Sequence, residues 1–413
     1  MDIQQSLADT DLCVKCGLCL PHCPTYQDSR EEGDSPRGRI TQLQALARGQ
    51  LELSARGASH LHSCLNCSAC EPVCPAKVPY RKLIDRGRTL SPAAIPLRAR
   101  MLAHAGGRRL IDSTIWILHA LKLPQLARGL GYFGSRRLRG LLSGLAEDSR
   151  QRPISAAPGA RGSVQLFAGC TGSNLDRAAM RHSRALFQAL GYAVTLPSAQ
   201  GCCGAIHGHA GHHAHARALA LANELALGEA GAPIVGIASG CEAWLKDYGQ
   251  LLGRPSPVSA GLQDFSSFVE RASRDAQFSA LQETVALHLP CTQRNVLKSS
   301  GALQQALSRI PGMNIVTIGE QQSCCGAAGT HVLNNPERAG RFAAPYIEQL
   351  RGMRPQPSRL ISANIGCSMH LRAQLAAAGL DIAVEHPAQL LLRQLAGGSK
   401  VSSRSKISSA SSS

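Results

Sequence analysis

The chain has 413 residues, 44% of them hydrophobic, which is enough to bury two or three separate cores. Its formal net charge is +17, but only 4% of its residues are aromatic and it has no nucleic-acid-binding motif, so an acidic partner or a membrane surface is favoured over nucleic acid. No secretory signal opens the chain, and no run of about 18 apolar residues predicts a membrane span. We therefore expect a cytoplasmic protein whose 16 cysteines stay reduced and bind metal.

Two cysteine runs near the N-terminus share one spacing. Residues 13–24 and 64–75 both read C-x2-C-x2-C-x3-C-P, which is typical of a protein with two [4Fe–4S] clusters. A zinc site or a disulfide scaffold is the alternative, but zinc usually takes separated pairs of ligands and would leave a cysteine unused in each run. Since the fourth cysteine of a run usually ligates the other cluster, we predict one cluster on Cys13, Cys16, Cys19 and Cys74 and a second on Cys64, Cys67, Cys70 and Cys23.

The segment between the two runs predicts a helix. Leu43, Leu46 and Ala47 fall on one helical face, and Gly49 is a stop signal. Residues 1–90 are therefore predicted to form an α-helical, ferredoxin-like domain with two clusters. Arg37 and Arg39 would neutralise cluster charge, dock a partner or simply lie in a solvated basic loop.

Residues 91–163 are predicted to be a basic helical connector. An amphipathic helix over residues 110–123, with flanking cations, suits either the surface of the inner membrane or a contact with a domain or partner subunit. Residues 151–163 have the composition of a linker. Residues 397–413 contain nine serines and are predicted to be a disordered tail.

The remainder is an internal repeat, with one copy at residues 164–262 and another at 285–395. Each copy contains an apolar run before a cysteine, a Cys-Cys-Gly (CCG) turn, and an apolar run before Gly-Cys. The marked cysteines are 32 and 39 positions apart in the first copy and 33 and 43 positions apart in the second. Helices are predicted at residues 176–190, 213–227 and 337–350. This alternation predicts a Rossmann-like α/β fold with a parallel sheet in each copy.

The cysteines of the repeat follow the carboxyl ends of predicted strands, where open α/β sheets place ligands. They are predicted to form a further iron–sulfur cluster or an electron-acceptor site. The two sets are Cys170, Cys202, Cys203 and Cys241 in the first copy, and Cys291, Cys324, Cys325 and Cys367 in the second.

Several histidines lie near these cysteines. His209 and His331 both follow the CCG glycine by five residues and would ligate iron, donate to a cluster or move a proton, while His370 could complete a site with Cys367. In the alternative interpretation, most of the histidines that follow Cys203 are surface residues in a loop and at the start of a helix. The sequence contains no P-loop and no G-x-G-x-x-G at a strand–helix turn, so we expect no flavin on this chain.

The two cysteine runs followed by two CCG repeats resemble the iron–sulfur subunits of 2-hydroxyacid and glycerol-3-phosphate oxidoreductases and of heterodisulfide reductases. The phrases around the repeats resemble most the iron–sulfur subunit family of bacterial glycolate oxidase over residues 10–395. The resembling segments are residues 16–19, 23–26 and 36–40 in the N-terminal part, and residues 201–205, 239–241, 324–330 and 363–367 around the repeats.

This resemblance implies a subunit of a glycolate oxidase (glycolate dehydrogenase) acting on CH–OH donors. FAD-binding partner subunits would oxidise glycolate or D-lactate, and this chain would pass the electrons to quinone or another acceptor. The alternatives are the iron–sulfur subunit of a lactate or anaerobic glycerol-3-phosphate dehydrogenase, or a catalytic CCG subunit like that of heterodisulfide reductase. The fuller CCG pattern ends in C-x2-C, but Trp244 and His370 stand where its fifth cysteine would be.

Overall fold

The computed structural model describes residues 8–104, 106, 107, 110, 113, 161–172, 174–228, 231–320 and 324–396. The tail and the linker up to residue 160 lie outside the described residues, as does the connector helix predicted at residues 110–123 apart from residues 110 and 113.

The N-terminal part is helical, which confirms the prediction of an α-helical ferredoxin-like unit. Its buried core is formed by apolar side chains of three helices, including Leu43, Leu61 and Leu83. The helices are α1 (Pro24–Ser29), α2 (Pro36–Ala47), α3 (Ala55–Ser63), α4 (Tyr80–Arg88) and α5 (Leu97–Ala103).

Helix α2 begins earlier than the apolar pattern alone predicts. The hydroxyl of Ser35 accepts a hydrogen bond from the backbone N–H of Gly38 at 2.9 Å, and Pro36 occupies the first turn. Both are favourable at a helix start, since the cap satisfies an otherwise unpaired donor and proline has no N–H to lose. Arg37 and Arg39 therefore lie on a helix rather than in a loop.

The first repeat forms a four-stranded parallel sheet in the order β2-β1-β3-β4. Its strands are β1 (Ser163–Phe167), β2 (Ala193–Thr195), β3 (Ile234–Gly236) and β4 (Leu262–Gln263). Its helices are α6 (Arg177–Ala189), α7 (Ala205–His209), α8 (His213–Leu227), α9 (Ser239–Leu245), α10 (Tyr248–Leu252), α11 (Pro257–Gly261) and α12 (Phe265–Ala272).

The second repeat has the same topology, with strand order β6-β5-β7-β8 and every pair parallel. Its strands are β5 (Thr284–His288), β6 (Asn314–Ile318), β7 (Arg359–Ser362) and β8 (Ala383–Glu385). A π-helix (Gln293–Leu297) follows β5, and the α-helices are α13 (Ser300–Ser308), α14 (His331–Asn334), α15 (Pro336–Gly352), α16 (Ile365–Ala378) and α17 (Pro387–Gln394).

The two repeats share one apolar core. Val164 and Phe265 of the first repeat belong to the same buried cluster as Val285 and Leu391 of the second. The structure confirms two parallel α/β repeats and the predicted helices, seen as α6, α8 and α15. In each sheet the strand order reverses between the first and third strands (β1 and β3, β5 and β7), and open α/β folds bind ligands at such a switch point.

Candidate iron–sulfur and metal centres

The two N-terminal cysteine loops repeat the same backbone conformation. Lys15 and Asn66 occupy equivalent places with φ of 57° and 49°, and Gly17 and Ser68 follow with φ of 86° and 54°. Left-handed residues in such turns direct successive backbone N–H groups into a concavity that suits an anion. Because a [4Fe–4S] unit with four thiolates is anionic overall, both loops fit such a cluster.

The first predicted ligand set surrounds a single small cavity. Cys13, Cys16, Cys19 and Cys74 all line it, together with Cys70 of the second predicted set. Cys16 is exposed, and the side chains of Val14 and Leu18 beside it are 69% and 56% exposed. The structure thus brings the four cysteines together at the surface of the molecule.

The second predicted set lies deeper. Cys23, Cys67 and Cys70 are buried, and the Tyr80 hydroxyl donates to Cys64 Sγ at 3.6 Å. Burial raises the pKa of Cys70, and the nearby thiols of Cys67, Cys64 and Cys23 raise it further. A bound metal would reverse this effect, because a metal cation stabilises the thiolate form.

Arg39 supplies a fixed positive charge beside the second set. Its side chain is fully buried, and its Nη2 donates to Ser63 Oγ at 2.7 Å and to Thr25 Oγ1 at 3.1 Å. Its Nη1 is buried without a hydrogen-bond partner among the described residues. The solvated-loop interpretation is therefore wrong for Arg39, and a buried guanidinium near Cys23 and Cys64 suits an anionic cluster.

In the first repeat the four cysteines form a continuous chain of thiol contacts. Cys202 contacts Cys170 and Cys203, and Cys203 contacts Cys241. The backbone N–H of Gly204 donates to Cys202 Sγ at 3.4 Å. The ends of β1 and β3 and the CCG turn that follows β2 therefore converge at one place.

Trp244, which replaces the fifth cysteine of the fuller pattern, is buried against the CCG turn. Its indole nitrogen is 3.3 Å from the position that a Cβ on Gly204 would take, and it has no hydrogen-bond partner among the described residues. The bulky ring occupies space where a fifth thiolate would have to approach.

The second repeat contains the equivalent chain of thiols. Cys291 contacts Cys324, Cys324 contacts Cys325, and Cys325 Sγ lies 3.1 Å from Cys367 Sγ. Gly326 N–H donates to Cys324 Sγ at 3.4 Å and Asn364 Nδ2 to Cys367 Sγ at 3.3 Å. Donors of this kind favour thiolates over thiols.

A histidine that is not among the predicted site residues joins this second set. His288 ends strand β5 and is 1% exposed, and its ligand nitrogen and the sulfurs of Cys325 and Cys367 all lie within 4.8 Å of one another. Burial, aided by the charge of Arg294, lowers the pKa of His288 to about 3. The sequence did carry a signal for this residue, because His288 is the one polar side chain in the apolar run just before Cys291.

The second repeat touches the second cysteine loop directly. Cys67 packs in one buried cluster with Cys324, Leu65 and Phe342, and Cys291 lies against it. Asn295 Nδ2 donates to the backbone carbonyl of Cys67 at 2.7 Å. By contrast, Cys170 and Cys202 of the first repeat pack against Ala103 of α5.

The candidate histidines have structural contacts. His209 Nδ1 lies 2.9 Å from Asp85 Oδ1, His331 Nδ1 lies 3.0 Å from the carbonyl of Gly326, and His370 Nε2 lies 3.0 Å from that of Ala339. His207 is 4% exposed and stacks on His215, so the surface interpretation is wrong for His207. His209 links α7 of the first repeat to α4 of the N-terminal unit.

Among the residues that the structure describes, no helix has both the length and the apolar character needed to cross a bilayer.

Comparison with known families agrees with this architecture. The family described as 4Fe-4S dicluster domain matches residues 9–78. The family described as cysteine-rich domain matches twice, at residues 164–246 and 285–372. The chain therefore carries a domain for two [4Fe–4S] clusters, followed by two cysteine-rich domains.

Several known proteins are similar to this chain over most of its length. The glycolate oxidase iron-sulfur subunit of Escherichia coli (strain K12) is 30% identical over 372 residues, covering 87% of this chain and 89% of that protein. The probable glycolate oxidase iron-sulfur subunit of Bacillus subtilis (strain 168) is 29% identical, covering 94% of each chain. One of the subunits of the dihydromethanophenazine:CoB–CoM heterodisulfide reductase of Methanosarcina barkeri (strain Fusaro) is 26% identical, covering 94% of this chain and 95% of its own.

Proposed function

Because the chain belongs to the family of the glycolate oxidase iron–sulfur subunit, we propose that it is the electron-transfer subunit of a glycolate-oxidising complex. Its partner subunits would carry the flavin and oxidise glycolate to glyoxylate, or D-lactate to pyruvate. Quinone or another acceptor, at the inner face of the membrane, would receive the electrons. The observation that carries the proposal is the pair of cysteine loops with matching left-handed turns, which suit two anionic clusters within one small unit.

In this proposal the two bound [4Fe–4S] clusters supply one-electron transfer. The chain holds one with Cys13, Cys16, Cys19 and Cys74, and the other with Cys64, Cys67, Cys70 and Cys23. Arg39 offsets the negative charge of the second set from its buried position. The contact of Cys67 with Cys291 and Cys324 keeps water away from that side of the second set.

The first cysteine loop is the surface on which we place the flavin-bearing partner. Cys16 is exposed there, between the exposed apolar side chains of Val14 and Leu18. An apolar patch beside an exposed cluster ligand suits a partner that must bring its own redox group close.

The experiment uses the full chain purified anaerobically with its co-expressed flavoprotein partners. We expect about eight irons from the two clusters, and reduction by glycolate should produce the EPR signal of reduced [4Fe–4S] clusters. Glycolate, D-lactate and glycerol 3-phosphate are compared as donors. Reduction by glycerol 3-phosphate alone would contradict the proposal, as would the absence of iron.

The docking surface is tested with a matched pair of variants. Leu18→Asp should abolish cluster reduction by glycolate while flavin reduction by glycolate and cluster reduction by dithionite persist. Leu51→Asp alters a leucine of comparable exposure, 48%, outside the cysteine loops and should behave as the unaltered chain. Equal effects of both substitutions would place the flavin partner elsewhere.

A further inference from the structure

A cavity of about 540 Å³ lies between the N-terminal unit and the first repeat. Its walls come from α4, from the second cysteine loop, and from α8, α9 and the start of α10. This volume is within the range of about 300–1,000 Å³ that small-molecule sites occupy, and such sites occur preferentially at the junctions between domains. Among the described residues that line the cavity none is a cysteine, so the cavity is separate from the candidate metal centres.

The cavity adjoins two of the candidate redox sites. Glu71, which follows Cys70 directly in the sequence, lines it and accepts a hydrogen bond from the backbone N–H of Arg81 at 2.8 Å. Trp244 forms another part of the wall, and its indole nitrogen is 3.3 Å from the position that a Cβ on Gly204 would take. A redox-active molecule in the cavity would therefore lie beside both the second cysteine loop and the CCG turn of the first repeat.

The lining contains charges of both signs, but its carboxylates already have partners in the protein. Asp85 Oδ1 lies 2.9 Å from His209 Nδ1, and Asp247 forms an ion pair with Arg81. Glu71 accepts the backbone hydrogen bond described above. Against these three carboxylates the lining has four cationic side chains, which are Arg81, Lys82, Arg86 and Arg217. The cavity thus has an excess of N–H donors, which suits a ligand with acceptor oxygens.

An exposed apolar ridge on α8 begins beside the cavity. Arg217 of α8 lines the cavity, and Leu221 and Leu225, one and two turns further along the helix, are 43% and 84% exposed. Ala218 and Ala222 on the same side are also exposed. Residues three and four positions apart are neighbours on a helix surface, so these side chains form one continuous strip. A contiguous exposed apolar surface is typical of a binding site.

We propose that the cavity binds a membrane quinone, with the ring inside and the apolar tail along Leu221 and Leu225 of α8. The inference rests on the proposed function, in which quinone is an electron acceptor, and adds the place where the acceptor binds. A quinone combines the two properties that this region requires, because its ring has two acceptor oxygens and its tail is apolar. The apolar side chains of Pro79 and Leu251 line the cavity with Trp244 and contact the faces of the ring.

Reduction in this cavity needs nothing beyond what the proposed function supplies. The quinone receives two electrons, one at a time, from the reduced clusters. Two protons come from water at the mouth, where the exposed residues Thr89, Leu90 and Arg217 lie, and the product is the quinol. No bond to the protein forms. Because the ring oxygens gain negative charge as electrons arrive, the excess of cationic side chains favours the reduction.

Binding to the chain alone tests the proposal without glycolate or a flavin partner. The chain has two tryptophans, so Trp116→Phe leaves Trp244 as the single fluorophore. Decylubiquinone should quench its fluorescence with saturation at one site per chain. Saturable quenching in the absence of any electron donor keeps this test separate from that of the proposed function.

A matched pair of variants in the Trp116→Phe chain tests the place of the ring. Thr89→Phe puts a bulky side chain at the cavity and should weaken binding by about 10-fold or more. Thr41→Phe on α2 is the control, because both threonines are exposed and both hydroxyls donate to a backbone carbonyl, at 2.7 Å from Thr89 to Arg86 and at 3.0 Å from Thr41 to Arg37. Thr41→Phe should bind decylubiquinone as the Trp116→Phe chain does.

A second pair tests the place of the tail. Leu221→Asp should weaken the binding of decylubiquinone but not that of duroquinone, a fully substituted quinone without a tail. Leu333→Asp on α14, at a leucine 49% exposed, should change neither.

Three results would overturn the proposal. They are quenching that does not saturate, unchanged binding of decylubiquinone in Thr89→Phe, and an equal effect of Leu221→Asp on both quinones. If decylubiquinone binds as expected but glycolate does not reduce the clusters through any flavoprotein partner, the proposed donor is wrong and the quinone site stands. If glycolate reduces the clusters but the cavity binds no quinone, the inference alone fails.

Discussion

At the scale of single residues, Asp176 is a buried carboxyl without adequate compensation. It precedes α6, and its Oδ2 is buried with no hydrogen-bond partner among the described residues. Burial raises its pKa to about 7, although the charge of Arg372 acts in the opposite direction. Since the folded state holds this proton more tightly than the unfolded chain, the stabilising effect is present below about pH 4 and is lost as the pH rises through about 7.

Asp176→Asn should therefore remove a pH dependence of stability. At pH 8 the variant should unfold at a higher temperature than the unaltered chain, by an amount reflecting a free energy on the order of 3 kcal/mol, while the two should agree near pH 4. Thermal unfolding followed by circular dichroism from pH 4 to 8 measures this. Asp275→Asn, at a side chain 78% exposed, is the control and should leave the profile unchanged.

Residue spacing predicted which thiols lie close together better than it predicted which charged side chains are buried. The spacing of the cysteines predicted which thiols would converge, because strand ends and short loops leave them little freedom. It could not predict that Arg39 is buried, since that depends on Ser63 and Thr25 from other segments accepting its hydrogen bonds. His288 was missed for a similar reason, because its proximity to Cys367 arises from the pairing of β5 with β7.

At the scale of elements, the CCG turn needs glycine for two separate reasons. Gly204 and Gly326 have φ of 91° and 90°, which L side chains rarely adopt. A Cβ at Gly326 would lie 2.6 Å from the carbonyl oxygen of Ala339, whereas the nearest atoms to a Cβ at Gly204 are 3.3 Å away. The turn in the second repeat is therefore the tighter of the two.

Gly326→Ala should consequently lower the melting temperature more than Gly204→Ala does. Both substitutions cost about 1–2 kcal/mol for the left-handed backbone, and only the first adds a backbone clash. Differential scanning calorimetry of the two variants under identical metal loading provides the comparison. An equal or larger loss for Gly204→Ala would show that the two turns do not differ in packing.

Hydrophobic periodicity predicted those helices and strands that are long or that have clear start and stop residues at their ends. Helices α6, α8 and α15 match the predicted segments within two residues. Strands β4 and β8 were not predicted, because Leu262–Gln263 and Ala383–Glu385 are too short to show an alternating pattern. They complete each sheet only through pairing with β3 and β7, a tertiary effect.

At the scale of the whole molecule, the N-terminal unit contacts both repeats through ion pairs. Asp85 of α4 lies 2.9 Å from His209 of the first repeat. Burial raises the pKa of Asp85, but His209, Arg88 and Asn66 together stabilise its carboxylate and lower the pKa to about 2. Arg338 of the second repeat meets Asp28 and Asp34 at 2.8 and 3.0 Å. These contacts tie α1 and α4 of the N-terminal unit to the two repeats.

Arg338→Ala should loosen this assembly, whereas Arg341→Ala should not. Arg338 is 18% exposed and joins two carboxylates, so its loss should cost on the order of 2 kcal/mol, while Arg341 is 59% exposed and its pair with Asp28 is worth at most about 1 kcal/mol. Hydrogen exchange should show faster exchange in α1 and in the loop around Cys67 only for Arg338→Ala. Iron should also be lost faster from that variant in the presence of a chelator, because the contact that shields Cys67 from water depends on the docking of α15. If Arg341→Ala exposed α1 as strongly, long-range charge rather than the buried pair would hold the units together, and high salt would then loosen the unaltered chain as well.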